Sequence, residues 1–485
     1  MGNRLHERTV SRERRYHLLV AILGGLLAVN CTFTMFNVAL VRIATSLHTT
    51  QTTLTWAITG PLLVVGVAGP PLGKLGDLHG HRRNYLMGMT GSLVCALLTI
   101  AAWSASSLIV ARLFAGFGDA CMMASSWALL FRVFGPEERT RIMGWWALVG
   151  AGGPVLGVAV GGPVVQAVGW RWVFVGQAPL IAIALVATFR LLPDTPKVPG
   201  GRVNWASAGA LALGVAGLLL ALNQGGVDGW LSPVVLASAA CVPLGLGLFA
   251  AIERRSDDPL VPLGWLRERN FLLPSLATLT MNFCYMGGFF LSPLFLERAL
   301  GYGIGVTGIM QVARPLTFAV SAPVAGYLAT RTGERAAAVA GATLMCGSML
   351  LFAVVGVGVP GVLVVVALGL SGLANGVASP SLAACVANSV PVEQMGTASA
   401  GLQVFSQVGV VAGIQVMETV EVAQAHSGLV ASFHDAYLVG ALVAVLGVGC
   451  AAMVRSAVRR RGVPVVTAAD EVLEALAIAP EPSLG

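Results

Sequence analysis

Long apolar runs recur along the whole chain, and arginines gather in every second loop between them. No other feature constrains the fold as tightly. A helix crossing a bilayer needs about 20 mostly apolar residues. Each such segment must satisfy its own backbone hydrogen bonds, because lipid offers none. Fourteen runs meet the length: 18–44, 54–76, 85–103, 108–131, 143–168, 173–192, 205–223, 233–252, 271–295, 305–329, 336–356, 361–388, 397–420 and 435–454. The pair 205–223 and 233–252 is the least distinct, but the polar turn from Gln224 to Trp230 separates the two. The first run is too long for a cleaved leader and lacks a small-residue cleavage pattern, so it reads as a retained helix.

Composition then excludes the other classes. Only 11% of the 485 residues are charged and 56% are hydrophobic, with a mean hydropathy of +0.81. Soluble domains carry roughly 25% charge, so a soluble multidomain enzyme is excluded, as are a disordered chain and a secreted disulfide framework. The 60 glycines suit helices that pack closely in lipid through small residues. All 8 cysteines lie in apolar stretches without metal-binding or redox spacing. They read as small buried hydrophobes, with no metal site expected.

The net charge of +7 reports topology rather than nucleic-acid binding. Arg4, Arg8, Arg12, Arg14 and Arg15 precede the first run, and Arg82 with Arg83, then Arg132, Arg139 and Arg141, mark alternate loops. The pattern continues through Arg190, Lys197 and Arg202, through Arg254 and Arg255, through Arg331 and Arg335, and ends with Arg459 to Arg461. The intervening loops hold little beyond Arg171 and Arg298. By the positive-inside rule both termini are then cytoplasmic and the span number is even.

An internal repeat sharpens the architecture. Gly73-Lys74-Leu75 followed by Gly80 and Arg82 matches Gly326-Tyr327-Leu328 followed by Gly333 and Arg335, at an offset of 253. Gly116 with Asp119 matches Gly372 with Asn375, and Pro136 with Glu138 matches Pro391 with Glu393, at offsets near 256. Two homologous six-helix halves follow, related by an axis along the membrane normal, as in a known transporter plan. The expected organisation is a cytoplasmic segment 1–17, an N-terminal half 18–192, a linker with two extra helices 193–270, a C-terminal half 271–454 and a cytoplasmic tail 455–485. A short surface helix is expected between Asp470 and Ala479 in the tail.

These residues resemble the major facilitator superfamily, and within it the fourteen-span drug:proton antiporter branch. The loop Gly73–Arg83 is similar to the family's cytoplasmic signature, through Gly73, Leu75, Asp77, Gly80, Arg82 and Arg83. Arg112 with Gly116 and Gly118 resembles the fourth-span motif, and Gly153-Pro154-Val155-Leu156-Gly157 resembles the antiporter motif of the fifth span. Trp170, Trp172, Phe174 and Pro179 resemble the entry to the sixth. The resemblance implies an all-α polytopic fold of two pseudo-symmetric halves plus two inserted helices. It also implies a gate in which Asp77 pairs with a helix of the other half in the outward-open state. One departure stands out. The acidic residue usual in the first span is Thr32, and the proline expected after Asn37 to Leu40 is Val41. A first-span carboxylate is therefore not carried over.

Charges inside the bilayer are costly and usually functional. Arg112 and Asp119 lie seven residues apart, close to two helical turns, so both are expected on one face of the fourth span. Asp119 is the candidate for the missing proton-carrying acid, with Arg112 tuning its proton affinity. Arg314, Asn282, Asn375, Gln403 and Glu418 are candidates for a substrate cavity between the halves. Gly153, Pro154 and Gly157 are the candidate hinge, as Pro154 removes a backbone bond while glycines spaced by four let a neighbour approach. No nucleophile constellation or Walker-type phosphate loop is present, which argues against an enzyme or an ATP-driven pump. The expected function is monomeric export of amphipathic, drug-like small molecules across the plasma membrane. Protons are the coupling partner, lipid the surroundings, and no cofactor or nucleic acid is involved. The alternative is a lipid, siderophore or metabolite exporter of the same fold with weak or no proton coupling.

Overall fold

The computed structural model describes residues 12–135, 138–192, 195, 202–256, 259–356, 358–424 and 428–455. The tail segment from Asp470 to Ala479 lies outside them, as does Lys197. The side chains of Thr32, Thr34, Asn37 and Pro154 are also outside the described set, although their backbones are helical.

The described residues form helices and short turns, with no strand among them. The N-terminal half contains α1 (Arg12–Ser46), α2 (Gln51–His79), α3 (His81–Ile100), α4 (Ala105–Val133), α5 (Arg139–Ala167) and α6 (Arg171–Leu191). A pair follows, α7 (Trp205–Asp228) and α8 (Pro233–Glu253). The C-terminal half contains α9 (Arg269–Leu294), α10 (Ile304–Gln311), α11 (Ala313–Thr332), α12 (Glu334–Val354), α13 (Gly361–Asn388), α14 (Met395–Ala423) and α15 (Leu429–Ala452). Every apolar run read from the sequence falls on helix. Among the described residues, 10 helices are long and apolar enough to cross a membrane.

Local chemistry explains the boundaries. Thr50 caps α2 by accepting from the Thr53 amide at 3.1 Å, and Ser104 with Ser107 forms a reciprocal capping box on α4. The arginine loop after the second run is shorter than expected. α2 runs on to His79 and α3 starts at His81, with only Gly80 between them. Gly80 holds φ +98 and its repeat mate Gly333, between α11 and α12, holds φ +91. Glycine reaches that region without steric cost, so one residue can reverse the chain. The tenth run, expected as one helix, is interrupted at Val312. Pro315 has no N–H to offer the Gln311 carbonyl, which opens the ladder at that point.

Packing repeats as the sequence does. In each half the first helix packs on the fifth and sixth, the second on the fourth, and the third on the fourth and sixth. The close crossings are themselves mates. A Cβ on Gly88 of α3 would lie 2.6 Å from the Gly118 carbonyl of α4, and one on Gly341 of α12 would lie 2.6 Å from the Ala374 carbonyl of α13. Gly116 crosses Pro61 in one half, and Gly372 crosses Arg314 in the other. The pair α7 and α8 crosses tightly at Gly214 and Gly245. α7 leans on both α2 and α14, and Leu219 of α7 and Gln407 of α14 both face Gly66 of α2. α7 thus covers one seam between the halves from outside.

Backbone approach at these crossings leaves no room for a methyl group, and overpacking costs about 1–3 kcal/mol. Gly341→Ala is therefore expected to lower the apparent thermal midpoint of the detergent-solubilised protein. Gly91→Ala on α3, where nothing lies within 4 Å of the added carbon, leaves it unchanged or raised. Equal midpoints for the two variants would contradict this packing.

Candidate functional site: the seams between the halves

Two seams join the halves, α2 against α14 and α5 against α11. They are mates under the repeat. A Cβ on Gly73 would lie 2.5 Å from the Gly396 carbonyl, and a Cβ on Gly326 would lie 2.7 Å from the Thr140 carbonyl. Both close approaches sit at the end of the bundle that carries the arginine-rich loops.

At the first seam the Asp77 carboxylate is seated on the first turn of α14. Oδ1 accepts from the Gly396 amide at 3.0 Å. Oδ2 accepts from the Thr397 amide at 3.0 Å and from the Thr397 hydroxyl at 2.7 Å. The residue preceding α14, Gln394, supplies no side-chain cap. The carboxylate therefore caps α14 from the opposite half, where helix amides and the macrodipole favour negative charge. Asp77 is buried at 3% exposure, so these bonds form out of water. Ser399 adds a further bond across the seam, donating to the Ala124 carbonyl of α4 at 3.1 Å.

Sequence reasoning did not single out His81. Its ring is fully buried, with Nε2 2.9 Å from Asp77 Oδ1, and its Cε1 lies where a Cβ on Gly396 would fall. Gly76 and Gly396 are small because the imidazole fills the space beside them. The positions of a histidine four residues after the aspartate and of a bare Gly396 are visible in the sequence. Their meeting is not, because they lie more than 300 residues apart.

At the second seam the charge is reversed. Arg139, at the start of α5, donates from Nη1 to the Ala387 carbonyl at 3.1 Å and to Asn388 Oδ1 at 2.8 Å. Those groups end α13, where orphan carbonyls favour a cation. Arg139 was read from the sequence only as a topology marker.

The remaining candidates distribute differently from expectation. Arg82 bonds within its own half. It donates to the Phe189 carbonyl of α6 at 2.8 Å and stacks on the Phe189 ring, while Arg83 is exposed. Arg112 and Asp119 are near enough to act on each other electrostatically, but no ion pair joins them among the described residues. Arg112 donates to the Ala57 carbonyl of α2 at 3.2 Å and lies over Phe36 of α1. Asp119 accepts from Ser92 of α3 at 3.5 Å. On the face that their spacing gives them in the unbroken α4, the long Arg112 side chain reaches α2, whereas the short carboxylate stays against α3. Gly153 lets α5 press on Asn30 of α1, and Gly157 is buried on the same helix.

Arg314 is wholly buried inside the C-terminal half, bonded to the Tyr285 carbonyl at 3.1 Å and flanked by the Tyr285 and Phe289 rings. It thus points into its own bundle rather than toward the other half. Asn282 bonds back to Thr278 on its own helix. Asn375 is buried in α13. Glu418 is half-buried, within electrostatic reach of Glu421 and Arg298. Gln403 lines a space between the halves. A small cavity there is walled by Val65, Met123, Trp127, Trp146 and Ala400. Among the described residues no cluster of three or more metal-binding side chains occurs.

Comparison with known proteins fits this architecture. The family model described as Major Facilitator Superfamily matches residues 22–414. A methylenomycin A resistance protein of Bacillus subtilis is 28% identical over 405 residues, covering 82% of this chain and 86% of that one. Its namesake in Streptomyces coelicolor is 30% identical over 414 residues, covering 83% and 85%. The solved structure of the human organic anion transporter MFSD10 (TETRAN) superposes with a TM-score of 0.65 at 19% identity, covering 90% of this chain and 99% of that one. The chain is therefore a multi-pass membrane transporter and belongs to the major facilitator superfamily, whose members are carriers of small molecules rather than enzymes.

Removing the Asp77 carboxylate leaves two buried α14 amides without acceptors, each costing about 1–3 kcal/mol. Asp77→Ala is expected to speed backbone hydrogen exchange across Met395–Gly401 in lipid nanodiscs by roughly fivefold or more. Exchange as slow as in the wild type would show that the contact does not hold the seam.

Proposed function

We propose that the protein exports amphipathic, drug- or antibiotic-like compounds across the plasma membrane by alternating access, in exchange for protons. The observation that carries this reading is the Asp77 carboxylate of one half seated on the first turn of α14 of the other. Such a bond is made in one state of a rocking cycle and broken in the next. The relatives' names, resistance proteins for an antibiotic, favour outward movement of an organic compound. In this reading fourteen helices span the bilayer, with the broken α10–α11 rod as one of them. Both termini and the arginine-rich end are cytoplasmic, the protein works as a monomer, and the seams closed here make the structure outward-facing.

Asp119 is the proton site in this proposal. It is a carboxylate within the span α4, next to Ser92 and within reach of the Arg112 charge. In the absence of a first-span acid, it can take up a proton without breaking a tight ion pair. Arg112 then sets how readily the proton leaves.

The test is transport in proteoliposomes loaded with a fluorescent lipophilic cation under an imposed pH gradient. Wild-type protein is expected to drive dye movement that an uncoupler abolishes. Asp119→Asn is expected to lose at least roughly tenfold of the gradient-driven rate, as removal of an essential proton carrier should. Wild-type rates indifferent to the uncoupler would overturn proton antiport, and full activity in Asp119→Asn would overturn the assignment of that residue.

A further inference from the structure

We propose that the crevice between α3 and α6 at the arginine-rich end is a binding site for an anionic glycerophospholipid. The crevice has a volume of about 1100 Å³. Its walls are apolar, with Leu86 and Met87 from α3 and Val186 and Phe189 from α6. Met87, Val186 and Phe189 are all largely exposed, and the exposed Ile183 and Leu180 continue the apolar track along α6. Such a track on two outer helices fits an acyl chain lying against the protein at membrane depth.

The rim is basic. Arg83, Arg190 and His79 line it, and no acidic side chain occurs among the described lining residues. Arg83 and Arg190 are exposed and make no hydrogen bond or ion pair with other described residues. Arg82 is already engaged by Phe189 and serves to fix the wall. The N-terminus of α3 opens on the same rim at Gly80, with no acid in its first turn, and the Thr195 hydroxyl of the rim accepts from the Arg82 amide at 3.3 Å. The positive end of the helix dipole adds to the attraction for a phosphate. Two exposed guanidiniums, the positive end of a helix and an apolar track below them describe a lipid with a charged headgroup. A soluble anion would use the rim but not the track. Basic pockets between helices facing the cytoplasmic leaflet are suited to such headgroups. This inference needs the chain to be a membrane protein but does not depend on proton coupling or on the exported compound.

The occupied site would brace the turn at Gly80. That turn lies between Asp77 and His81, so a bound headgroup would bear on the seam contact from behind.

The experiment is native mass spectrometry of the full-length protein in detergent, titrated with phosphatidylglycerol or with phosphatidylcholine of the same chains. Phosphatidylglycerol is expected to bind the wild type in preference. The double variant Arg83→Gln/Arg190→Gln is expected to lose roughly tenfold or more in apparent affinity, since each basic side chain near an anionic lipid contributes about a factor of five. The matched control Arg331→Gln/Arg335→Gln removes two exposed charges at the same end of the other half and is expected to bind as the wild type does. Thermal unfolding checks that both double variants remain folded. Equal binding of the two lipids, or equal losses in the two double variants, would overturn the proposal. Displacement of the lipid by equimolar inorganic phosphate would also overturn it, as it would mark a simple anion site.

Discussion

The closed arrangement of the two halves depends on one carboxylate that serves a helix it does not belong to. An α-helix starts with amides that have no partner of their own. α14 takes its acceptor from Asp77, more than 300 residues earlier and in the opposite half. Burial makes that bond matter, because water cannot substitute for a lost acceptor. The same burial makes it a natural point of control. Any separation of the halves at this seam would force the amides and the carboxylate to find water or another partner.

The second seam repeats the backbone geometry with the opposite charge. Gly73 against Gly396 and Gly326 against Thr140 are the same contact seen twice, as two copies of one ancestral half would make it. Their polar contacts have diverged. Asp77 caps the start of α14, and Arg139 caps the end of α13. Each charge meets the end of the helix dipole that favours it. The two seams therefore have the same shape but not the same chemistry, and a change in solution conditions need not weaken them equally. α7 packs on both helices of the Asp77 seam, which adds a further asymmetry.

Much of the fold was legible in the sequence because lipid enforces a simple rule. Each apolar run has to be a helix, and the repeat at Gly73 and Gly326 fixed the two halves. Gly80 and Gly333 could be seen as special, although the one-residue turns they make could not. The site was less legible. Asp77 was found through its motif, but Gly396 and His81 entered only with the structure, since their proximity depends on how the halves pack. Arg112 and Asp119 share a helical face by spacing, yet side-chain length sends one to α2 and the other to α3. Arg314 read as a cavity charge because a buried arginine in lipid is costly. Its solution, a carbonyl and two aromatic rings inside its own half, has no signature along the chain.

The most direct test of the account measures the distance between the halves at the arginine-rich end. Paired spin labels on His17 and Thr332, exposed positions at the ends of α1 and α11, would report it in nanodiscs in a background without reactive cysteines. The wild type should show one narrow, short distance. Asp77→Asn should add a second, longer population. An unchanged distribution in that variant would contradict the claim that the Asp77 carboxylate on α14 holds the halves together.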